Sequence, residues 1–379
     1  MKLKILVAPD SFKGSLTATE VCDCIAEGIH EFTLDVDIEL LPLADGGEGT
    51  VQSLVDATGG QIINKNVTGP LGKKVKAFYG ILGDYKTAVI EMAAASGLMI
   101  IPEEKRDPLK TTTYGTGELI KSALEHDITE IIIGIGGSAT NDAGIGMAQA
   151  LGVKFTDKNG EEVGLGGKSL DKIKNINLNG LDQRLKDIEI FVACDVDNPL
   201  YGKRGAAYIY APQKGADHKV VKKLDSNLRY FNEVVKKELG RDINQVAGAG
   251  AAGGLGGGLV AFLDAELKKG TDIILETVKF DQKLQGVDLV ITGEGMIDGQ
   301  SIFGKTPIGV GKRAQKHDIP VIAVAGSLGK GVEKVLDHGI NAYFSIVDRP
   351  DNLNSIIKRS KQLLKNLSEQ IARIVINLN

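Results

Sequence analysis

Both ends of the chain alternate short apolar runs with segments of helical period, and the stretch between them breaks that rhythm. KILVAP (4–9) reads as a buried parallel strand. In SFKGSLTATEVCDCIAEGIHEF, which follows, Thr17 and Glu20 have capping-box spacing, and Val21, Ile25 and Ile29 recur at helical spacing. IELLPLA (38–44) is a second strand and GTVQSLVDATGG a second helix. Alternation returns with the strand VDLVITGEG (287–295), which ends near Thr292 before a loop, and the helix TPIGVGKRAQKH, with Pro307 in its first turn. IPVIAVAGS (319–327) is a strand, GVEKVLDHG a helix, NAYFSIV a strand, and residues 351–375 a final helix. Such alternation demands a parallel, doubly wound sheet.

The character changes at about residue 66. VKAFYGILGDYKTAVIEMA (75–93) holds two β-rich runs around Gly83-Asp84 and predicts a hairpin. A helix is expected at 116–126, strands at 130–137 and 188–200, and a long amphipathic helix over 217–239, while 157–187 is polar and irregular. The expected fold is α/β with two domains. Residues 1–66 and 287–379 form a discontinuous domain with a doubly wound parallel sheet, and residues 67–286 form an inserted mixed α/β domain.

Glycine accounts for 48 of the 379 residues, nearly twice the roughly 7% of average usage. The glycines cluster without a period, which excludes a collagen-like chain and points to tight turns and close backbone approaches. With 42% hydrophobic and 25% charged residues the balance is that of a globular protein. A net charge of −4 and a pI near 5.9 suggest no nucleic-acid or membrane partner. Cys22, Cys24 and Cys194 give neither a disulfide framework nor a zinc pattern, which fits a reducing, cytoplasmic compartment. MKLKILVAPD is too short in its apolar run for a signal peptide. The oligomeric state, a homodimer included, is left open.

Two motif matches mislead. GQSIFGKT (299–306) fits the Walker A pattern, but GEGMID separates it from the expected strand end, and no strand ending in Asp follows. GAGAAG (248–253) fits the dinucleotide fingerprint, but polar GRDINQVA precedes it where a strand is required. Close packing of two elements is the simpler reading of those glycines.

Five loops after expected strands mix acids or amides with small residues: PDSFKGS (9–15), LADGGEGT (43–50), IGGSATNDAG (135–144), CDVDNPL (194–200) and TGEGMIDGQ (292–300). LADGGEGT sets carboxylates among glycines whose N–H groups suit an anion. A divalent cation between acid and phosphate would reconcile the two; so would a solvated turn before a helix. Ser138, Thr140 and Asn141 offer donors, or a helix cap. Asp195 and Asp197, two apart, share a side if extended, or form a turn before Asn-Pro. No histidine lies in these loops, which leaves little support for a Ser/His/Asp hydrolase. Acids, amides and lysines suit phosphoryl transfer, which needs positioning and charge stabilisation. Mg²⁺ favours one or two carboxylates plus substrate phosphates.

Taken in order, APDSFKGSL, PLADGGEGT, TGPLG, TTTYGTGELI, GIGGSATNDAGIG, CDVDNPLYGKRGA, APQKGA, GAGAAGG and DLVITGEGMIDGQSIFGKTPIGV resemble the type-1 glycerate kinase family across the whole chain. The family's usual Asp-x-Gln-Thr stands here as Asp298-Gly299-Gln300-Ser301, which keeps a hydroxyl. The resemblance implies two α/β domains, one flavodoxin-like, a cleft between them, and phosphorylation of D-glycerate by ATP with Mg²⁺. With the chemistry of the residues, it nominates Asp195 or Asp45 as the base, and Asp195→Asn is expected to keep the fold and lose most turnover. Glu48, Asp197, Glu294 and Asp298 are candidates for Mg²⁺ or ribose, and Lys13, Lys305 and the Gly137–Asn141 loop for phosphate or the substrate carboxylate. Of the two carboxyl-bearing products, 2-phosphoglycerate is favoured over 3-phosphoglycerate. The competing readings are a nicotinamide-dependent hydroxy-acid reductase and a nucleotide-binding module without turnover.

Overall fold

The computed structural model describes residues 2–378. They form two compact units, one of residues 2–45, 52–59 and 271–378, the other of Gly46–Val51 and Gly60–Gly270. The first unit's sheet contains β1 (Leu3–Val7), β2 (Val36–Leu40), β11 (Leu289–Ile297), β12 (Val321–Leu328) and β13 (Ala342–Ser345). The second unit's main sheet contains β3 (Gln61–Thr68), β4 (Lys74–Ile81), β5 (Thr87–Glu91), β6 (Glu130–Gly134), β9 (Glu189–Ala193) and β10 (Glu266–Lys268). A small antiparallel pair, β7 (Lys154–Thr156) and β8 (Asn175–Asn177), completes it.

The first sheet is wholly parallel in the order β2-β1-β11-β12-β13. This is the doubly wound flavodoxin order, and its direction of winding reverses between β1 and β11. Ile5, Val7, Leu289 and Ile291 turn one face toward the core that helices Ala18–Phe32 and Leu353–Leu378 share with it. The first helix starts as its sequence dictates: Thr17 and Glu20 make a reciprocal capping box. The two helices approach so closely that a Cβ at Gly28 would overlap the Lys365 carbonyl oxygen.

In the second unit β10, β9, β6 and β5 run parallel, and the β4–β5 hairpin carries the sheet over to antiparallel β4 and β3. Phe155, Phe231 and Phe262 lie in its core with ring centroids 5.4 to 6.4 Å apart. Helix His218–Leu239 opens on Asp217, whose carboxylate accepts the Val220 N–H at 2.8 Å.

Several elements differ from the sequence reading. The units divide at other points than the expected 66/67 and 286/287. β3 pairs with β4 along its whole length, which carries residues 61–66 into the second unit, and residues 271–286 pack with the first. β11 does not stop near Thr292; its pairing with β12 continues to Ile297, which brings the strand end close to the Walker-like GQSIFGKT. That segment nonetheless forms a 3₁₀ turn, Ser301–Phe303, and β12 carries no acid. Residues Val332–His338 are 3₁₀ and not α-helical. No strand precedes GAGAAG, which enters helix Ala251–Leu263 through left-handed residues at 252–254, and a Cβ on Gly253 would strike the Thr140 carbonyl oxygen. Those glycines let two elements touch. Among the described residues no helix is long and apolar enough to cross a membrane.

Candidate active site

In open parallel sheets ligands bind at the carboxyl ends of the strands, at the point where winding reverses. In the first unit that point lies past β1 and β11. The Asp10 N–H donates to the Gly293 carbonyl at 2.8 Å, so the acid that follows β1 is pinned beside the middle of β11. Asp10 is 5% exposed. Burial, reinforced by the nearby Asp45 carboxylate, pushes its carboxyl up to about 7, against the opposing pull of the Ser11 N–H and Lys13. The Thr306 hydroxyl lies 3.0 Å from the Ala44 carbonyl oxygen and 3.3 Å from Asp10 Oδ2. A hydroxyl has one hydrogen, and a carbonyl can only accept. Its single hydrogen therefore goes to one of these two acceptors or is shared between them.

Two lysines sit among these acids. Lys13 Nζ is 2.7 Å from Asp45 Oδ2. Burial acts to lower the Lys13 ammonium, but Asp45, Asp10 and Glu294 outweigh it and hold its pKa above the usual value. Glu294, 8% exposed, accepts the Ser301 hydroxyl at 2.8 Å and lies 3.0 Å from Lys305 Nζ. Burial raises its pKa, and Lys305 and Ser301 offset part of the rise. The sequence candidates Lys13, Asp45, Glu294 and Lys305 thus gather as two ion pairs about Asp10. Asp298 instead shapes the backbone, because its Oδ1 accepts the N–H groups of Gln300 and Ser301 at 2.8 and 3.2 Å and so builds the turn.

The second unit holds a cavity of about 350 Å³ whose lining includes Gly47, Glu48, Gly49, Phe78, Glu91 and Gly137. Glu48 is exposed on its wall. Behind the 135–144 loop, Lys214 Nζ donates to Ser138 Oγ and to the Thr140 carbonyl, both at 2.7 Å. Lys214 is 1% exposed, and burial pushes its ammonium down to about 7, partly countered by Asp142. Asp142 is itself fully buried and held by Thr113 and Gly144. Thr140 Oγ1 and both polar atoms of the Asn141 amide are buried without a partner among the described residues. Asp195 and Asp197 lie exposed after β9 with separate partners: Asp195 accepts the Gly270 N–H at 3.0 Å, and Asp197 pairs with Arg204 at 3.0 Å.

Asp10 and Lys214 are not singled out by sequence reasoning. Asp10 has a signal, being the acid directly after the first strand, yet Lys13 of the same loop is the more conspicuous charge. Lys214 stands in APQKGA, where only small neighbours hint that a lysine is enclosed.

Among the described residues no cluster of three or more acids, histidines or cysteines forms a ready metal centre. Mg²⁺ bound chiefly by substrate phosphates needs only one or two carboxylates. Glu48, an exposed carboxylate on the cavity wall, fits that donor set; Asp197 and Asp298 are engaged elsewhere.

Asp10 binds its proton more tightly in the folded chain, so protonation stabilises the fold. That contribution is complete below the unfolded value of 3.8 and is lost as pH rises through about 7. Asp10→Asn cannot ionise and escapes the loss. Its stability relative to the parent is expected to increase from pH 3.8 to 7 and level off above, by at most roughly 4 kcal/mol. Denaturant melts across this range check it; a difference independent of pH contradicts it.

The model of the glycerate kinase family matches residues 5–376. The chain is 53% identical to glycerate 2-kinase of Escherichia coli over 98% of its length and 97% of the relative's. It is 52% identical to glycerate kinase of Bacillus subtilis, again over 98% and 97%. A crystal structure provisionally assigned as glycerate kinase 2 from Salmonella typhimurium LT2 superposes with a TM-score of 0.92 at 46% identity, covering 100% of this chain and 99% of that one. The chain belongs to the glycerate kinase family.

Proposed function

We propose that this protein transfers the γ-phosphoryl group of Mg-ATP to a hydroxyl of D-glycerate, giving phosphoglycerate and ADP. The observation that carries the reading is the buried Asp10 carboxyl at the point of reversed winding, flanked by the Lys13–Asp45 and Lys305–Glu294 pairs. Glycerate offers a carboxylate and neighbouring hydroxyls. Lys13 would hold the carboxylate. Asp10, ionising near neutrality, would accept the hydroxyl proton while the new P–O bond forms and the bond from γ-phosphorus to the β–γ bridging oxygen breaks. Asp45 and Asp195 remain the other candidate bases. Asp195 is exposed and Asp45 is tied to Lys13, so Asp10 is preferred.

The glycine-lined cavity, with Phe78 and Met99 on its wall, suits a nucleotide, which needs apolar surface and backbone donors. Gly137, Ser138, Thr140 and Asn141, with Glu294 and Lys305, are the proposed nucleotide contacts, and the meeting of the two substrates in a domain cleft rests on the family resemblance. Mg²⁺ held by Glu48 would neutralise charge on the phosphates. The name of the Escherichia coli relative supports the 2-hydroxyl as acceptor.

In ³¹P NMR of the protein with Mg-ATP and D-glycerate, a new phosphomonoester resonance is expected, with the proton coupling of a 2-phosphate. ATP left intact, or a product resonance with 3-phosphate coupling, contradicts the corresponding part of the reading. Among Asp10→Asn, Asp45→Asn and Asp195→Asn, the first is expected to lose most, with kcat lower by roughly 10²- to 10⁴-fold. Near-parental kcat in Asp10→Asn, with a large loss in Asp195→Asn, returns the base to Asp195.

A further inference from the structure

LADGGEGT poses a question that the second unit answers: its glycines form a cradle for an anion, and the chain supplies one. Glu91 ends β5, where it stands beside Gly134 of β6 in the parallel register. It is 6% exposed and lines the glycine-walled cavity with Gly47, Glu48 and Gly49. Its Oε1 accepts the Val51 N–H at 2.8 Å, and the N–H groups of Gly49 and Thr50 also stabilise its charge. The Val51 N–H is thus bonded to the carboxylate while the Thr50 N–H turns to the Gly47 carbonyl at 3.4 Å, in a loop where Gly49 takes a φ of +90°. The Thr50 hydroxyl closes the turn on the Gly47 carbonyl at 2.7 Å. Burial and the neighbouring Glu48 act against the charge of Glu91, and the backbone donors act for it.

The geometry points to Glu91 as a positioning residue: its buried carboxylate holds the Val51 N–H and so fixes the loop that carries Glu48 on the cavity wall. The start of the helix around residue 51 is therefore not a free phosphate cradle. An external anion enters it only when the Glu91 carboxylate is removed. The link to turnover rests on the proposed phosphoryl transfer; the Glu91–Val51 contact does not.

The test uses the full chain, with formate as the probe because it is a carboxylate small enough for the vacated space. In Glu91→Ala, turnover is expected to fall by roughly 10- to 100-fold. Sodium formate should then raise both Tm and kcat saturably, while sodium chloride at equal ionic strength does neither. The parent should respond to neither salt. In Glu91→Gln one oxygen still accepts a donor, so turnover should lie between parent and Glu91→Ala, and amide exchange at 49–51 should quicken. Folded Glu91→Ala with parental turnover, or with no response to formate in Tm, overturns the assignment. Should Glu91→Ala not fold, unchanged amide exchange at 49–51 in Glu91→Gln overturns it. Tm and exchange need no glycerate, so an inactive parent would sink the proposed reaction while leaving these readouts to decide on Glu91.

Discussion

The first unit depends on one pairing, that of β1 with β11. Ile5, Leu6 and Val7 lie in register with Leu289, Val290 and Ile291, segments separated by about three-quarters of the chain. No local propensity makes that pairing; it is sustained by apolar faces that only a covered parallel sheet can bury. Beyond the pairing the same two strands stay tied, with the Thr292 hydroxyl on the Ala8 carbonyl at 2.8 Å and the Asp10 N–H on Gly293. The polar cluster follows from it. Asp10 follows β1 and Glu294 lies within β11, and only this register sets them side by side.

Burial then gives these groups their character. A carboxylate or ammonium withdrawn from water is costly unless paired and hydrogen-bonded. Glu294 is compensated by Lys305 and Ser301. Asp10 is compensated poorly, and its pKa moves toward neutrality. In the second unit Lys214 is enclosed with Ser138 and Thr140, and Glu91 holds the Val51 N–H. Perturbed ionisation at a strand end is where proton transfer is expected, since a general base works best near the operating pH.

Much of the fold was legible because its signals are local. The capping box of Thr17 and Glu20, the apolar runs of β1 and β6, and the Pro307 start of helix Thr306–Gln315 each announce an element within a few residues. The far end of β11 was not legible, because GEGMI has the composition of a loop and is held extended by β12. In the site, residue types were readable but partners were not. Lys13 with Asp45, and Lys305 with Glu294, are pairings fixed by turns and strand ends, while Asp197 and Asp298 carry the same chemistry and are committed to Arg204 and to a turn. Asp10, Glu91 and Lys214 escaped because burial, which makes them distinctive, is a property of the packed chain.

The central claim is that Asp10 carries a proton that it exchanges near neutral pH. ¹³C NMR of the aspartate side-chain carboxyls, with Asp10 assigned by its absence in Asp10→Asn, measures this directly. The account predicts a midpoint near 7 for Asp10. A midpoint near the ordinary value of 3.8 would contradict it and remove Asp10 from the proton transfer.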